Sequence, residues 1–320
     1  MTSEAIAEAK PVRGDRIHRD RALHGTGDTA PLQVYSTNVK LGRRVKAVMK
    51  CPIGKCKLCL QTRELQESRL MPAALYRKAR LDGDRNPNPM MLTIKGRIQT
   101  SRPIKDYVLC RDCEQLFSKN NERYTMAQVT QKAGRSFPLL RTLLSCTATK
   151  EAYGFTYYSE NVSSTIERDK LGYFALSVFW RSGIHTWHRP FGGSNQIHLG
   201  EYEEPLRLYL LGMAPFPTKM MLYFVVCSDS YSQNRFYTPS KSSHPGNTTT
   251  HAFQARGLNF LLMTGDDITE TMGTLCLMNG KDRWIMVRSC QDMVAGAEMR
   301  LEMYAEIVKM MRRSRNRIQS

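Results

Sequence analysis

At 320 residues the chain is long enough for two domains, and 41% apolar with 24% charged residues is a globular composition. No apolar run approaches the roughly 18 residues of a membrane span. The acidic start Met1-Thr-Ser-Glu-Ala lacks the basic and apolar regions of a secretory signal. An intracellular, cytoplasmic protein is expected, and there nine cysteines favour metal over disulfides.

The net charge of +18 is segregated. Residues 1–39 carry five basic and five acidic side chains, residues 40–150 carry 24 and 8, and residues 151–320 carry 18 and 16. A basic module of net +16 beside a near-neutral remainder is the electrostatic footprint of a polyanion binder, most often of nucleic acid. A basic surface kept for solubility is the plainer alternative.

In chain order, residues 1–39 read as a weakly ordered tail with a short helix near Ser3–Lys10 and a strand-like Leu32–Asn38. In the basic module, residues 40–150, a helix is predicted from Pro72, where proline suits a first turn, and it ends before Asn86-Pro-Asn-Pro. Met90–Ile94 and Arg97–Thr100 read as a hairpin, and a second helix opens near Arg111–Cys113. Asp169–Trp187 predicts a buried helix and Gly200–Gly212 another, with glutamates in its first turn. Ser228–Thr250 reads as a long polar loop carrying aromatics and cations. Met220–Ser228, Thr249–Gln254, Leu258–Met263, Gly273–Met278 and Trp284–Val287 read as strands. Ala295–Arg313 closes the chain as a helix with a basic tail. Helices, then strands, then a helix predict an α+β fold: a zinc-finger module at 40–150, then a helical and antiparallel-sheet domain at 151–320.

The strongest chemical signal is Cys56-Lys-Leu-Cys59 with Cys110-Arg-Asp-Cys113. Each short pair offers two thiolates, and two pairs supply the four ligands of a tetrahedral Zn²⁺ with no open position, hence a structural one. A redox role for one pair lacks the βαβ context it needs. Cys51 is close enough in sequence to compete as a ligand. Cys146, Cys227, Cys276 and Cys290 read as core residues. His185 and His188, three apart at a predicted helix end, read as a terminal turn rather than as a metal site.

From Cys56 to about Tyr124, the run Cys56-x-x-Cys59, Glu64-Leu-Gln-Glu-Ser68-Arg69-Leu-Met-Pro72, Leu109-Cys110-x-x-Cys113 resembles the Cys-rich branch of the HNH endonucleases. The resemblance implies a ββα-metal, treble-clef-type finger. It also implies a histidine general base before the apolar pair and proline, and here that position is Arg69, which cannot accept a proton. The asparagine expected at position 114 is Glu114. Mg²⁺ or Mn²⁺ ligands would come from Asp112, Glu114 and Asn120-Asn121-Glu122, residues equally readable as helix-surface groups. Arg69 is placed to clamp a phosphate, or simply to pair with Glu64 or Glu67. The sequence therefore predicts a zinc-binding, nucleic-acid-binding protein of degenerate-nuclease type, with DNA favoured over RNA and Arg43, Arg44, Lys57, Arg69 and Arg111 on the binding face. Its alternatives are an active metal-dependent nuclease with a displaced base, supplied by a histidine of the second domain or by the Glu114/Glu122 region, and a zinc-stapled protein-interaction module.

Overall fold

The computed structural model describes residues 51–78, 90–93, 96–130, 136–189, 193–242, 248–268 and 270–292. The tail, the strand-like Leu32–Asn38 and the terminal helix Ala295–Arg313 lie outside them, as do Arg43 and Arg44.

Two sheets share one core. The smaller is β1 (Ile53–Lys55), β2 (Thr62–Arg69) and β5 (Lys105–Cys110), antiparallel in the order β1-β2-β5. Between β2 and β5 come the helix α1 (Ala73–Lys78) and a hairpin of β3 (Met90–Thr93) and β4 (Gly96–Gln99), both where the proline and the Lys95-Gly96 turn signal predict them. Helix α2 (Arg111–Phe117) leaves β5 directly, with Asp112 and Glu114 in its first turn, where negative charge complements the helix dipole. A π-helical turn, Ser118–Glu122, joins it to α3 (Arg123–Gln128), and α4 (Pro138–Leu144) follows.

The larger sheet has seven strands. It contains β6 (Lys150–Ala152), β7 (Phe155–Tyr158), β10 (Met220–Cys227), β11 (Phe236–Ser242), β12 (Thr249–Ala255), β13 (Leu258–Thr264) and β14 (Ile285–Arg288). Their order is β11-β12-β13-β10-β14-β7-β6, antiparallel except where β10 runs parallel to β14. The hairpins β6–β7 and β12–β13 each turn on two residues, Tyr153-Gly154 and Arg256-Gly257, all four with positive φ. That conformation matches the strand twist and favours glycine at the second position.

Helix α5 (Arg168–Ile184) is the hub, buried along most of its length. Phe174 and Phe179 meet Phe253 and Phe260 of the large sheet, while Tyr173 and Trp180 meet Phe117 of α2, all edge-on at 4.9–6.2 Å. The hydrophobic core thus runs without interruption from Cys56 to Val287. Helix α6 (Glu203–Leu210) packs beside α5 after a 3₁₀ turn at Gly200–Tyr202. A two-residue ladder joins β8 (Trp187–His188) to β9 (Ser194–Asn195). The short helices α7 (Ser230–Gln233) and α8 (Glu270–Gly273) complete the elements. Among the described residues no helix is long and apolar enough to cross a membrane.

The mixed α+β class holds, with three local corrections. Gly273–Met278 is no strand: Leu275 and Cys276 close tight turns onto Met272 and Gly273, and a single bond from the Leu277 N–H to the Leu222 carbonyl, rather than a ladder, fixes the segment on β10. The polar stretch after Ser228 holds α7 and edge strand β11, whose pairing skips Thr238-Pro239, where proline has no N–H to give. His185 and His188 share no helix face. Helix α5 stops at Ile184, the Trp187 indole caps the Arg181 carbonyl at 2.7 Å, and His188 lies in β8.

Candidate metal centre and the basic face beside it

Cys56 and Cys59 flank the tight turn between β1 and β2, while Cys110 ends β5 and Cys113 lies in the first turn of α2. The turn is closed by Cys56 N–H on the Gln61 carbonyl and Leu60 N–H on the Cys56 carbonyl, both at 2.9 Å. All four sulfurs fall within 4.8 Å of one another, and Cys59 Sγ lies 3.9 Å from Cys110 Sγ. A tetrahedron of Zn–S bonds of about 2.3 Å has S–S edges of about 3.8 Å, so the group fits such an ion. The Cys110 amide N–H donates to Cys56 Sγ at 3.3 Å. Without metal, the hydrogen bond from Cys113 lowers Cys56 to about 4 against the effect of burial, helped by the N–H groups of Cys110, Cys59 and Leu58. That same bond pushes Cys113 upward. Such a nest of donors suits thiolate ligands. Cys51 stands outside the group, beside Glu64.

Leu60, directly after the first pair, has φ +61 and is 44% exposed. A branched residue in this left-handed region costs roughly 1 kcal/mol that glycine does not. Leu60→Gly is therefore expected to stabilise the protein by about that amount, read as a higher thermal midpoint with unchanged metal content.

Helix α6 anchors the turn from outside: Arg207 Nη1 donates to the Leu58 carbonyl at 2.6 Å while Glu204 holds the same guanidinium. Lys57 and Arg111 flank the cluster, exposed and without an ion pair to any described residue. Arg63 pairs with Asp112 at 2.6 Å.

Arg69 ends β2, half-exposed, its Nη2 3.8 Å from Glu67, which Lys105 also holds. Glu122 is tied to Arg181 of α5 at 2.7 Å, and the same guanidinium donates to the Arg69 carbonyl at 2.8 Å. Glu114 lies beside them with Oε1 buried and unpartnered among the described residues. Burial pushes its carboxyl above the usual range, outweighing the opposing pull of Arg181, Ser68 and Arg69. Its folded state thus binds a proton more tightly than the unfolded chain. Stability falls as pH rises above the ordinary carboxylate range, and at neutral pH the buried charge is a cost. Glu114→Gln is expected to gain about 1 kcal/mol at pH 7 and nothing near pH 4, measured by denaturant unfolding at both.

One feature had no sequence signal. The His185 imidazole meets Asp106 of β5 at 2.9 Å, and Asp106 is paired with Ser68, next to Arg69 in β2. Burial alone would raise Asp106, but the hydrogen bonds from His185 and the Tyr107 amide hold it below the usual range. Of the four cysteines read as core residues, Cys227, Cys276 and Cys290 are buried, while Cys146 is only partly buried against the core's edge; Cys227 and Cys290 additionally share a hydrogen bond.

Compared with known protein families, with curated proteins and with solved structures, the chain matches none. No family match supports the HNH resemblance, and the structure supports it only in the four gathered cysteines.

Proposed function

We propose that this chain is a nucleic-acid-binding protein whose basic module is stapled by zinc. Cys56, Cys59, Cys110 and Cys113 would hold the ion. A closed set of four thiolates supplies folding energy and leaves no position for substrate or water.

The observation that carries the binding reading is how the module spends its acids. Glu67, Asp106, Asp112 and Glu122 are each engaged by a cation or a histidine. Lys55, Lys57, Arg77, Arg102, Arg111, Lys119 and Arg123 are exposed and pair with no described residue. Zinc and four thiolates subtract about two charges from this excess and leave it strongly positive. Catalysis is not required by this reading. Arg69 cannot act as a base, Glu122 is neutralised by Arg181, and among the described residues only the four cysteines gather as metal ligands.

The test is equilibrium binding of labelled DNA and RNA oligonucleotides between 50 and 200 mM salt. Five neutralised phosphates would weaken duplex binding by about 10²–10³-fold over that range. Flat or absent binding would contradict the reading and leave the zinc as a staple for a protein-interaction module.

A second reading has one observation in its favour, the Asp106–His185 pair beside Arg69. An imidazole oriented by a carboxylate is the arrangement of a general base. Mg²⁺- or Mn²⁺-dependent plasmid nicking that is lost in His185→Ala would establish it.

A further inference from the structure

Buried arginines need counterparts, and most here have them. Arg168, 1% exposed, donates to the carbonyls of Tyr158, Ser159, Ser163, Ile166 and Arg283 and to the Ser163 hydroxyl. Arg181 has Glu122 and two carbonyls.

Arg189 differs. Its side chain reaches one described acceptor, Asn195 Oδ1 at 3.2 Å, and its Nε is buried without a partner among the described residues. No described carboxylate pairs with it. Arg189 is partly exposed, so a guanidinium with its inner edge shut off from acceptors and its outer edge open is placed to take an anion.

Arg69 repeats the pattern: its Nε is buried and unpartnered, and the nearest carboxylate, Glu67, is shared with Lys105. The Tyr76 hydroxyl, on a side chain 5% exposed, lies between the two: its ring packs on Phe236 of β11, the strand whose Pro239 carbonyl holds Asn195, and it reaches Ile104, whose carbonyl takes the N–H of Leu70 next to Arg69. That hydroxyl accepts the Ile104 N–H at 3.3 Å, and its own proton has no acceptor among the described residues. Asn195 is in turn held by Ser182, Thr238 and the Pro239 carbonyl, so the Arg189 side rests on a fixed support.

We propose that Arg69, Arg189 and Tyr76 form a binding site for one phosphoryl group, with the two guanidinium forks and the phenol donating to its oxygens. Paired guanidinium donors suit a tetrahedral oxyanion, which can accept from several directions at once. On the nucleic-acid reading, on which this identity of the ligand rests, the group is a backbone phosphodiester. The site would set the register of the strand against β2 and β5 without reading its sequence.

The test uses the full chain and two probes, a labelled oligonucleotide and inorganic phosphate, with Arg189→Gln, Arg189→Lys and, as a control, Lys219→Gln at the exposed salt bridge with Asp266. Arg189→Gln is expected to weaken oligonucleotide binding about tenfold and to reduce its salt slope by about one, with Arg189→Lys intermediate and Lys219→Gln unchanged. Phosphate is expected to raise the thermal midpoint of the unaltered protein but not of Arg189→Gln. In phosphate-free buffer Arg189→Gln should melt no lower than the unaltered protein, because it removes no ion pair to a described residue and an amide can keep the hydrogen bond to Asn195. A sharp drop there would show Arg189 to be structural and overturn the proposal, as would oligonucleotide binding and phosphate response that ignore both variants. Absence of oligonucleotide binding together with a phosphate response lost in Arg189→Gln would uphold the site and overturn the nucleic-acid reading. Absence of both would overturn both.

Discussion

Cys113→Ser is expected to release the metal and unfold the cysteine module. Cys113 lies 5% exposed in the first turn of α2 and, as a ligand, would tie this helix to the β1–β2 turn. Structural zinc sites couple binding to folding with apparent energies on the order of 10 kcal/mol or more, comparable to the whole stability of a domain. The loss should extend beyond the module, because Phe117 of α2 packs on Tyr173 and Trp180 of the hub helix. Far-ultraviolet circular dichroism and the thermal midpoint, with and without a strong chelator, measure it. Retention of the full fold and midpoint in Cys113→Ser would show that the cluster holds nothing structural.

Arg181→Ala is expected to be the most damaging change outside the cysteines. The side chain is 2% exposed, and it joins α5 to β2 through the Arg69 carbonyl and to the turn before α3 through Glu122. Removing one partner leaves Glu122 charged and largely buried, a loss typically of about 3–5 kcal/mol. Pairing Arg181→Met with Glu122→Gln removes both charges and should recover much of it, which separates the stranded charge from lost packing. Urea unfolding of the single and double variants decides the point.

The large apolar signals carried most of what was legible. The helix at Asp169–Trp187, the strands near Met220, Thr249, Leu258 and Trp284 and the start at Pro72 all form within a few residues of their predicted positions. These segments combine apolar length with clear punctuation. Lys150–Ala152 and Phe155–Tyr158 escaped because each is short, although Tyr153-Gly154 between them is a legible hairpin turn. Edge strand β11 hid in polar composition, since only its paired side needs order.

The site divided along the same line. Two C-x-x-C pairs point to a metal-binding group because their chemistry is local, so the four cysteines that the structure gathers could be named from spacing alone. Arg181 and His185 come from more than 70 residues beyond β5, and only the packing of α5 and β8 against the small sheet brings them to Arg69 and Asp106. No spacing rule foretells a partner that arrives through tertiary contact.

Zinc content tests the central claim most directly. Elemental analysis of protein purified without chelator should find one zinc per chain, and well below that in Cys113→Ser. Folded protein with no zinc and four titratable thiols at Cys56, Cys59, Cys110 and Cys113 would contradict it.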